Sequence, residues 1–379
     1  MEKIIDPVSV DLLLAELTPD KKICGTNKAG NEVYVVDCLD APNVVREIGR
    51  LREIAFRDGG GGTGKALDLD EFDLTEDRPY KQLLVWDPDA KAIVGGYRYI
   101  LGPDVKIQED GQPHITSAHM FFYSERFIRE YLPHTMELGR SFVAPEYQSS
   151  KAGAKGIFVL DNLWDGILAV ILQYPGILYL LGKMTIYPTY DKSCRELIQH
   201  FLWKHFPDPD ELARPRQPVD LEVDGRLLDL ILRDGDTKAD YRNLKDAIRR
   251  LGRNIPPLVN SYMNLSPTMK MFGTGINDEF FGAYDTGIMV CVDEIYEDKQ
   301  ERHRLPYFRH LAQSIRLRFP NLRQEVDELA EKLAEIWGNR RARQSDSFLD
   351  RQKVQVADAE KLLRRKAQRH KNKKEKVEP

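Results

Sequence analysis

Cysteine is scarce: only Cys24, Cys38, Cys194 and Cys291 occur in 379 residues, scattered, with no C-x-x-C pair and no histidine at metal-ligand spacing. A disulfide framework is excluded, no metal site is expected, and the chain reads as reduced and cytoplasmic with small buried thiols. From Met1 to Asp11 there is no basic stretch followed by an apolar one, so no secretion signal is read. No uninterrupted apolar run is long enough to span a bilayer. The longest, 166–182, is broken by Gln173, Pro175 and Gly176 and preceded by Asp161 and Asp165, which predicts a buried helix, a tight break and a buried strand. Internal repeats are also missing.

Charge of one sign is in short supply overall, but not locally. From Lys361 onward nine Lys/Arg stand against Glu375 and Glu378, a tail of +7, which leaves −11 on the remainder of a chain of net −4. The tail carries no interleaved aromatics and the rest is acidic, so a nucleic-acid partner is not expected. It reads as a solvated helix end, an attraction for anionic headgroups, or a dock for an acidic carrier protein. The run Gly59–Ala66 fits G-x-x-x-x-G-K, but Ala66 stands where a P-loop needs Ser or Thr and the run follows a helix. Nucleotide hydrolysis is therefore not expected.

What is present is ordinary globular material, 42% hydrophobic and 31% charged, enough for a real core. Asp40 predicts an N-cap with Pro42 in the first turn, followed by Val44, Val45, Ile48, Leu51 and Ile54 at helical spacing. Strands are predicted over Glu32–Val36, Leu83–Trp86, Ala92–Ile100 and Met136–Val143, and a helix from Ser124 to Tyr131. A helix over Phe158–Tyr174, a strand over Ile177–Leu181, a helix over Ser193–Phe206 and a late strand over Gly287–Val292 follow. A meander followed by strand-helix-strand predicts a mixed α/β sheet. Four units result: a core over 1–206, a polar insertion over 207–254, completion of the core sheet over 255–296, and a charged helical extension over 297–379. In that extension Leu322, Val326, Leu329, Leu333, Ile336 and Trp337 form one stripe, with Asn321 and Gln324 as a capping box.

The chemistry-bearing segments recur in order. Arg52 and Phe56 stand four apart on the first helix, and Asp70-Glu71-Phe72-Asp73 forms a D-x-F-D element. Tyr80 and Leu83-Leu84-Val85 follow, then Gly95-Gly96-Tyr97-Arg98, Phe122-Tyr123-Ser124-Glu125, and the charged pair Glu137 and Arg140 in a strand ending at Pro145. A buried strand rarely carries both a Glu and an Arg unless they pair with each other or a ligand. Together these segments resemble the GNAT-superfamily acyltransferases that make N-acyl amino acids and acyl-homoserine lactones. Within them the match is to the branch that N-acylates ornithine or glycine to give lyso-aminolipids. Gly139, where lactone synthases tend to have Ser, and the block Ile255–Ile295 favour that branch.

The resemblance implies a GNAT fold and an acyl thioester, on acyl carrier protein or coenzyme A, as co-substrate without a resident cofactor. It implies that Glu137 accepts the amine proton beside Arg140, and that backbone N–H groups near Phe142 and Val143 receive the pantetheine arm. Asp70 and Asp73 would take the ammonium of the amino acid, and Arg98 or Arg52 its carboxylate. Gln148, Lys151 and Gly153, in the loop that opens the next helix, would hold the donor's phosphate. For ornithine, Glu71 or Glu125 would meet the second amine. The alternative for the charged residues is a buried ion network that only positions strands. Leu163, Trp164, Ile167 and Ile171 line an acyl tunnel or are simply core. An acyl-homoserine-lactone synthase-like enzyme and a non-catalytic carrier- or lipid-binding module are the competing functions. Peripheral contact with the inner face of the membrane rests on the basic tail and the lipid product.

Overall fold

The computed structural model describes residues 1–148, 156 and 158–318. The predicted stripe from Leu322 to Trp337, the basic tail, Lys151 and Gly153 lie outside the described residues.

Ten strands are described: β1 (Lys22–Gly25), β2 (Glu32–Val36), β3 (Lys81–Asp87), β4 (Ala92–Leu101), β5 (Phe121–Tyr123), β6 (Thr135–Val143), β7 (Tyr179–Ile186), β8 (Ala213–Pro215), β9 (Lys270–Asn277) and β10 (Ala283–Cys291). Eight of them make one sheet in the order β1-β2-β3-β4-β6-β7-β10-β9, and β5 pairs with β8. All neighbours in the large sheet are antiparallel except β6 and β7, which run parallel. The helices used below are α1 (Val10–Glu16), α2 (Pro42–Asp58), α3 (Glu71–Leu74), α4 (Val159–Gln173), α5 (Lys192–His205), α6 (Thr237–Arg250), α7 (Pro257–Met263) and α8 (Glu297–Arg318).

Strand alternation distributes the core over both faces. Leu83 and Val85 of β3 and Met136 and Leu138 of β6 pack with Leu163, Ile167 and Ile171 of α4, so these helix residues are core. Each such buried side chain contributes about 1.5–3 kcal/mol. On the opposite face Leu84, Trp86 and Phe142 pack with Val44, Val45 and Ile48 of α2. Tyr80, Ile100, Phe121 and Leu181 form a third cluster. Gly96 permits the close crossing of β4 and β6, because a Cβ there would lie 2.9 Å from the Phe142 ring.

Several expectations are corrected. The N-cap of α2 is Ala41 rather than Asp40, and its first amides are met from outside the helix. Glu16 accepts from the N–H of Asn43 and Val44 at 3.2 and 2.9 Å. The helix predicted from Ser124 to Tyr131 is present, with Ser124 Oγ accepting from the Phe127 N–H at 3.3 Å. It widens, however, to a π-helix over Phe127–Tyr131 and then tightens to a 3₁₀ turn over Leu132–His134, where Pro133 removes a donor. β7 continues past Leu181 to Ile186 because Gly182, Lys183 and Thr185 pair with Ile288, Gly287 and Asp285 of β10. The polar stretch after Pro207 contains α6, which buries Leu244 and Ile248. At the end of the described chain α8 docks on α4 through His303, whose Nδ1 lies 2.7 Å from Asp165. No helix among the described residues is long and apolar enough to cross a membrane.

Candidate active site

The parallel pairing of β6 and β7 is short: it joins Thr135, Met136 and Glu137 to Tyr179, Leu180 and Leu181 and then stops. From Leu138 on, β6 keeps β4 as its neighbour on one side and has no strand partner on the other among the described residues. A cleft of about 690 Å³ opens there, walled by Leu138–Val143, Lys183, Thr185, Tyr187, Phe280 and Asp285, with Phe56, Leu160, Pro257 and Tyr262 adding apolar surface. Parting strands leave backbone N–H and C=O groups facing the gap, and such groups need a partner.

Arg140 sits at the bend. The β4–β6 register slips between Gly96↔Phe142 and Arg98↔Gly139, so Arg140 and Ser141 together oppose Tyr97. Arg140 has φ +49°, a left-handed conformation that costs a non-glycine residue roughly 1–2 kcal/mol. Such bulges re-aim side chains and cluster at functional sites. This one brings the guanidinium to the cleft wall, 5.0 Å from the centroid of the Phe280 ring. Behind it Asp68, fully buried, pairs at 2.9 Å with Arg140 Nε. Burial pushes the Asp68 carboxyl above the usual carboxylate range, with Arg140, Arg52 and Arg98 opposing.

The other charged residues of the motif series are together but outside the cleft wall. Arg52 Nη1 donates to both oxygens of Asp73 at 3.2 Å, and Arg98 Nη1 donates to Asp73 at 2.8 Å and to Asp70 at 2.7 Å. Gln82 completes the set, donating to Asp73 at 2.8 Å and accepting from Arg52. Asp70 also caps α3 in a reciprocal box with Asp73. Burial alone would raise Asp73, but Arg98 and Arg52 outweigh it and hold the carboxyl well below the ordinary range. Asp70, Asp73, Arg98 and Arg52 therefore pair with one another, while Arg52 Nε and Arg98 Nε are buried without a hydrogen-bond partner among the described residues. Arg140 touches its edge, with Nη2 3.8 Å from Asp70.

Glu137 faces the third core cluster and does not line the cleft. Its carboxylate accepts from the Tyr80 hydroxyl, from the Ser117 N–H at 2.9 Å and hydroxyl at 2.5 Å, and from the Thr116 N–H at 3.3 Å. A carboxylate so filled with donors, away from the cleft, has a structural partner for each face. On the donor side Phe142 is buried and Val143 half-buried, while Gln148 donates to the Val143 carbonyl at 2.6 Å.

Residues to which the sequence pattern assigns no role also border the cleft. The Tyr97 and Tyr262 hydroxyls lie 3.0 Å apart at the cleft, and burial raises both phenols, so they keep their protons at neutral pH. Lys183, Asn277 and Asp285 form a polar corner on β7, β9 and β10. The glycine run 59–64 has its own anion: Glu53 accepts from the N–H of Thr63 at 3.0 Å and of Gly64 at 2.8 Å. A Cβ at Gly61 would lie 2.2 Å from the ring of Tyr187, so glycine there lets the loop lie against the cleft wall. Among the described residues no group of three or more His, Cys, Asp or Glu is placed to hold a metal.

Residues 51–155 match the acetyltransferase (GNAT) domain family. Over 303 residues, covering 80% of this chain and 93% of the relative, the sequence is 55% identical to a glycine N(alpha)-acyltransferase of Phocaeicola vulgatus. The chain belongs to the GNAT N-acyltransferases. A glycine N(alpha)-acyltransferase of Bacteroides thetaiotaomicron is likewise 55% identical over 303 residues, 80% of this chain and 90% of that protein. An L-ornithine N(alpha)-acyltransferase of Rhizobium meliloti is 28% identical over 263 residues, 68% of this chain and 77% of that one. Among solved structures a CoA-dependent acyl-homoserine lactone synthase, BjaI, aligns with 69% of this chain and 84% of its own at 12% identity and a TM-score of 0.31, too remote to bear on the site. The GNAT N-acyltransferase fold and enzyme class expected from the motif order are thus shown.

Proposed function

We propose that this N-acyltransferase moves a fatty acyl or 3-hydroxyacyl chain from a thioester to the α-amine of glycine, the first step of aminolipid synthesis. The observation that carries it is the cleft opened by the parting of β6 and β7, with Arg140 at its bend. Glycine is favoured over ornithine by the 55% identity to glycine N(alpha)-acyltransferases against 28% to the ornithine enzyme.

In this reading the thioester lies along the free edge of β6, and backbone N–H groups between Gly139 and Val143 receive the developing oxyanion. The glycine nitrogen, having released one proton to water, attacks the carbonyl carbon. The C–N bond forms, the C–S bond breaks, and a second proton of the nitrogen passes to the departing thiolate through the Tyr97 and Tyr262 hydroxyls, leaving the third on the amide. Glu137, Asp70, Asp73, Arg98 and Arg52 hold β3, β4 and β6 in the geometry this requires. The donor is carried by acyl carrier protein, whose acidity suits the +7 tail from Lys361 onward, and the same tail suits a cytoplasmic enzyme resting on an anionic membrane face.

Palmitoyl and 3-hydroxypalmitoyl thioesters on carrier protein or coenzyme A, offered with glycine, ornithine and other amino acids, test the reading through thiol release and product mass. N-acylglycine formed in step with free thiol is expected. Thiol release without an amide, or ornithine as the preferred acceptor, contradicts it.

A further inference from the structure

The polar corner of the cleft contains a buried acceptor without a donor. Asn277, 4% exposed at the end of β9, donates its Nδ2 to Asp285 Oδ2 at 2.9 Å, while its Oδ1 has no hydrogen-bond partner among the described residues. The amide cannot be turned over to relieve this, because Oδ1 would then face the Asp285 carboxylate. Asp285, buried on β10, accepts from Thr185 Oγ1 at 2.6 Å on Oδ1 and from Lys183 at 3.0 Å on Oδ2. Oδ2 is filled by Asn277 and Lys183, which leaves Asp285 Oδ1 one acceptor position and Asn277 Oδ1 two. An unmet buried acceptor costs about 1–3 kcal/mol. Both residues, with Lys183, line the cleft.

We infer that Asn277 and Asp285 form the subsite for the ammonium of the amino-acid acceptor, with Lys183 receiving its carboxylate. Three acceptor positions meet the three donors of a primary ammonium, and the Asp285 charge offsets that of the cation. Lys183 brings the opposite charge within one residue of the same corner, so a zwitterion is matched at both ends. Thr185 keeps Asp285 fixed, and the 3₁₀ turn Asp278–Phe280, directly after Asn277, puts the Phe280 ring into the cleft wall. The subsite lies across the cleft from β6, so an amine released there faces a thioester on the β6 edge. The sequence hides it because the residues come from three strands that pair only in the folded sheet.

The assignment rests on the reading of glycine as acceptor, and glycine binding measured by NMR titration separates the two. For Asn277→Leu, glycine affinity is expected to fall roughly 10- to 100-fold, the worth of a hydrogen bond to a charged group, while affinity for coenzyme A or acyl carrier protein stays within about twofold. Lys183→Met, at a partly exposed position, covers the case in which Asn277→Leu does not fold. It should erase the preference for glycine over glycinamide. Unchanged glycine affinity in folded Asn277→Leu, or a loss falling on the donor instead, overturns the subsite. Glycine that binds through Asn277 but is never acylated upholds the subsite and overturns the function.

Discussion

Arg140 and Asp68 form the ion pair that joins the cleft to the buried charge network, with Nε 2.9 Å from Oδ2 and Arg140 held in a left-handed bulge. Removing the cation strands a fully buried carboxylate. Arg140→Gln should cost about 3–5 kcal/mol at neutral pH. The sign with pH follows from burial, which already raises Asp68. A carboxyl whose folded pKa lies above its unfolded one favours folding at low pH and loses that contribution as pH rises through the folded value. The deficit of Arg140→Gln should therefore shrink as pH falls, read by denaturant melts between pH 4.5 and 7.5 (about the window above the unfolded value). A deficit that grows on acidification contradicts the pairing.

Glu137→Gln should behave as a stability variant. Its carboxylate serves Tyr80, Thr116 and Ser117 and is absent from the cleft wall. A Gln amide turns an N–H₂ toward donors, which predicts a loss of about 1–3 kcal/mol in melts. Turnover of the folded variant should stay within about tenfold of wild type, well short of the 10²–10⁴ that a general base supplies. A thousandfold loss in kcat from a folded variant would return the proton-acceptor role to Glu137.

How far this was legible in sequence depends on the distance over which residues cooperate. The strand with Glu137 and Arg140 and the Gly95-Gly96 pair are local patterns that fall on the strands expected, whereas the D-x-F-D element, for which no element was expected, forms the capped helix α3. Asp68 was not legible, since one aspartate between a glycine run and D-x-F-D carries no signal until the bulge aims Arg140 at it. Lys183 hid the true end of β7 because a lysine after Gly182 looks like a strand terminus, when it faces a cleft. Charge pairs were legible as charges but not as partners: Arg52 meets Asp73, and Arg98 meets both Asp73 and Asp70.

The glycine run should be rigid because of Glu53. Its carboxylate takes the Thr63 and Gly64 amides and pairs with Arg57 at 2.7 Å. Glu53→Gln should release the loop, at about 1–3 kcal/mol, seen as faster amide exchange over residues 61–66. ATP should protect none of these amides in wild type, since their acceptor is internal. Protection by ATP would contradict this assignment.

Tyr97→Phe should separate chemistry from binding. If the Tyr97–Tyr262 pair delivers the proton to the thiolate, kcat falls roughly 10²-fold or more with little change in KM for glycine. Tyr262→Phe should match it, and the double variant should be little worse than either, as for groups acting as a unit. Additive losses would contradict a shared relay.

In the proposed reaction acyl transfer takes place where β6 and β7 part. A structure with an unreactive thioether analogue of the acyl donor and glycine tests it most directly. The predicted result places the analogue's carbonyl oxygen against backbone N–H groups between Gly139 and Val143, with the glycine nitrogen approaching from the Asn277 and Asp285 side. An analogue bound elsewhere, or along β6 with glycine on the Asp70–Asp73 network, would contradict it.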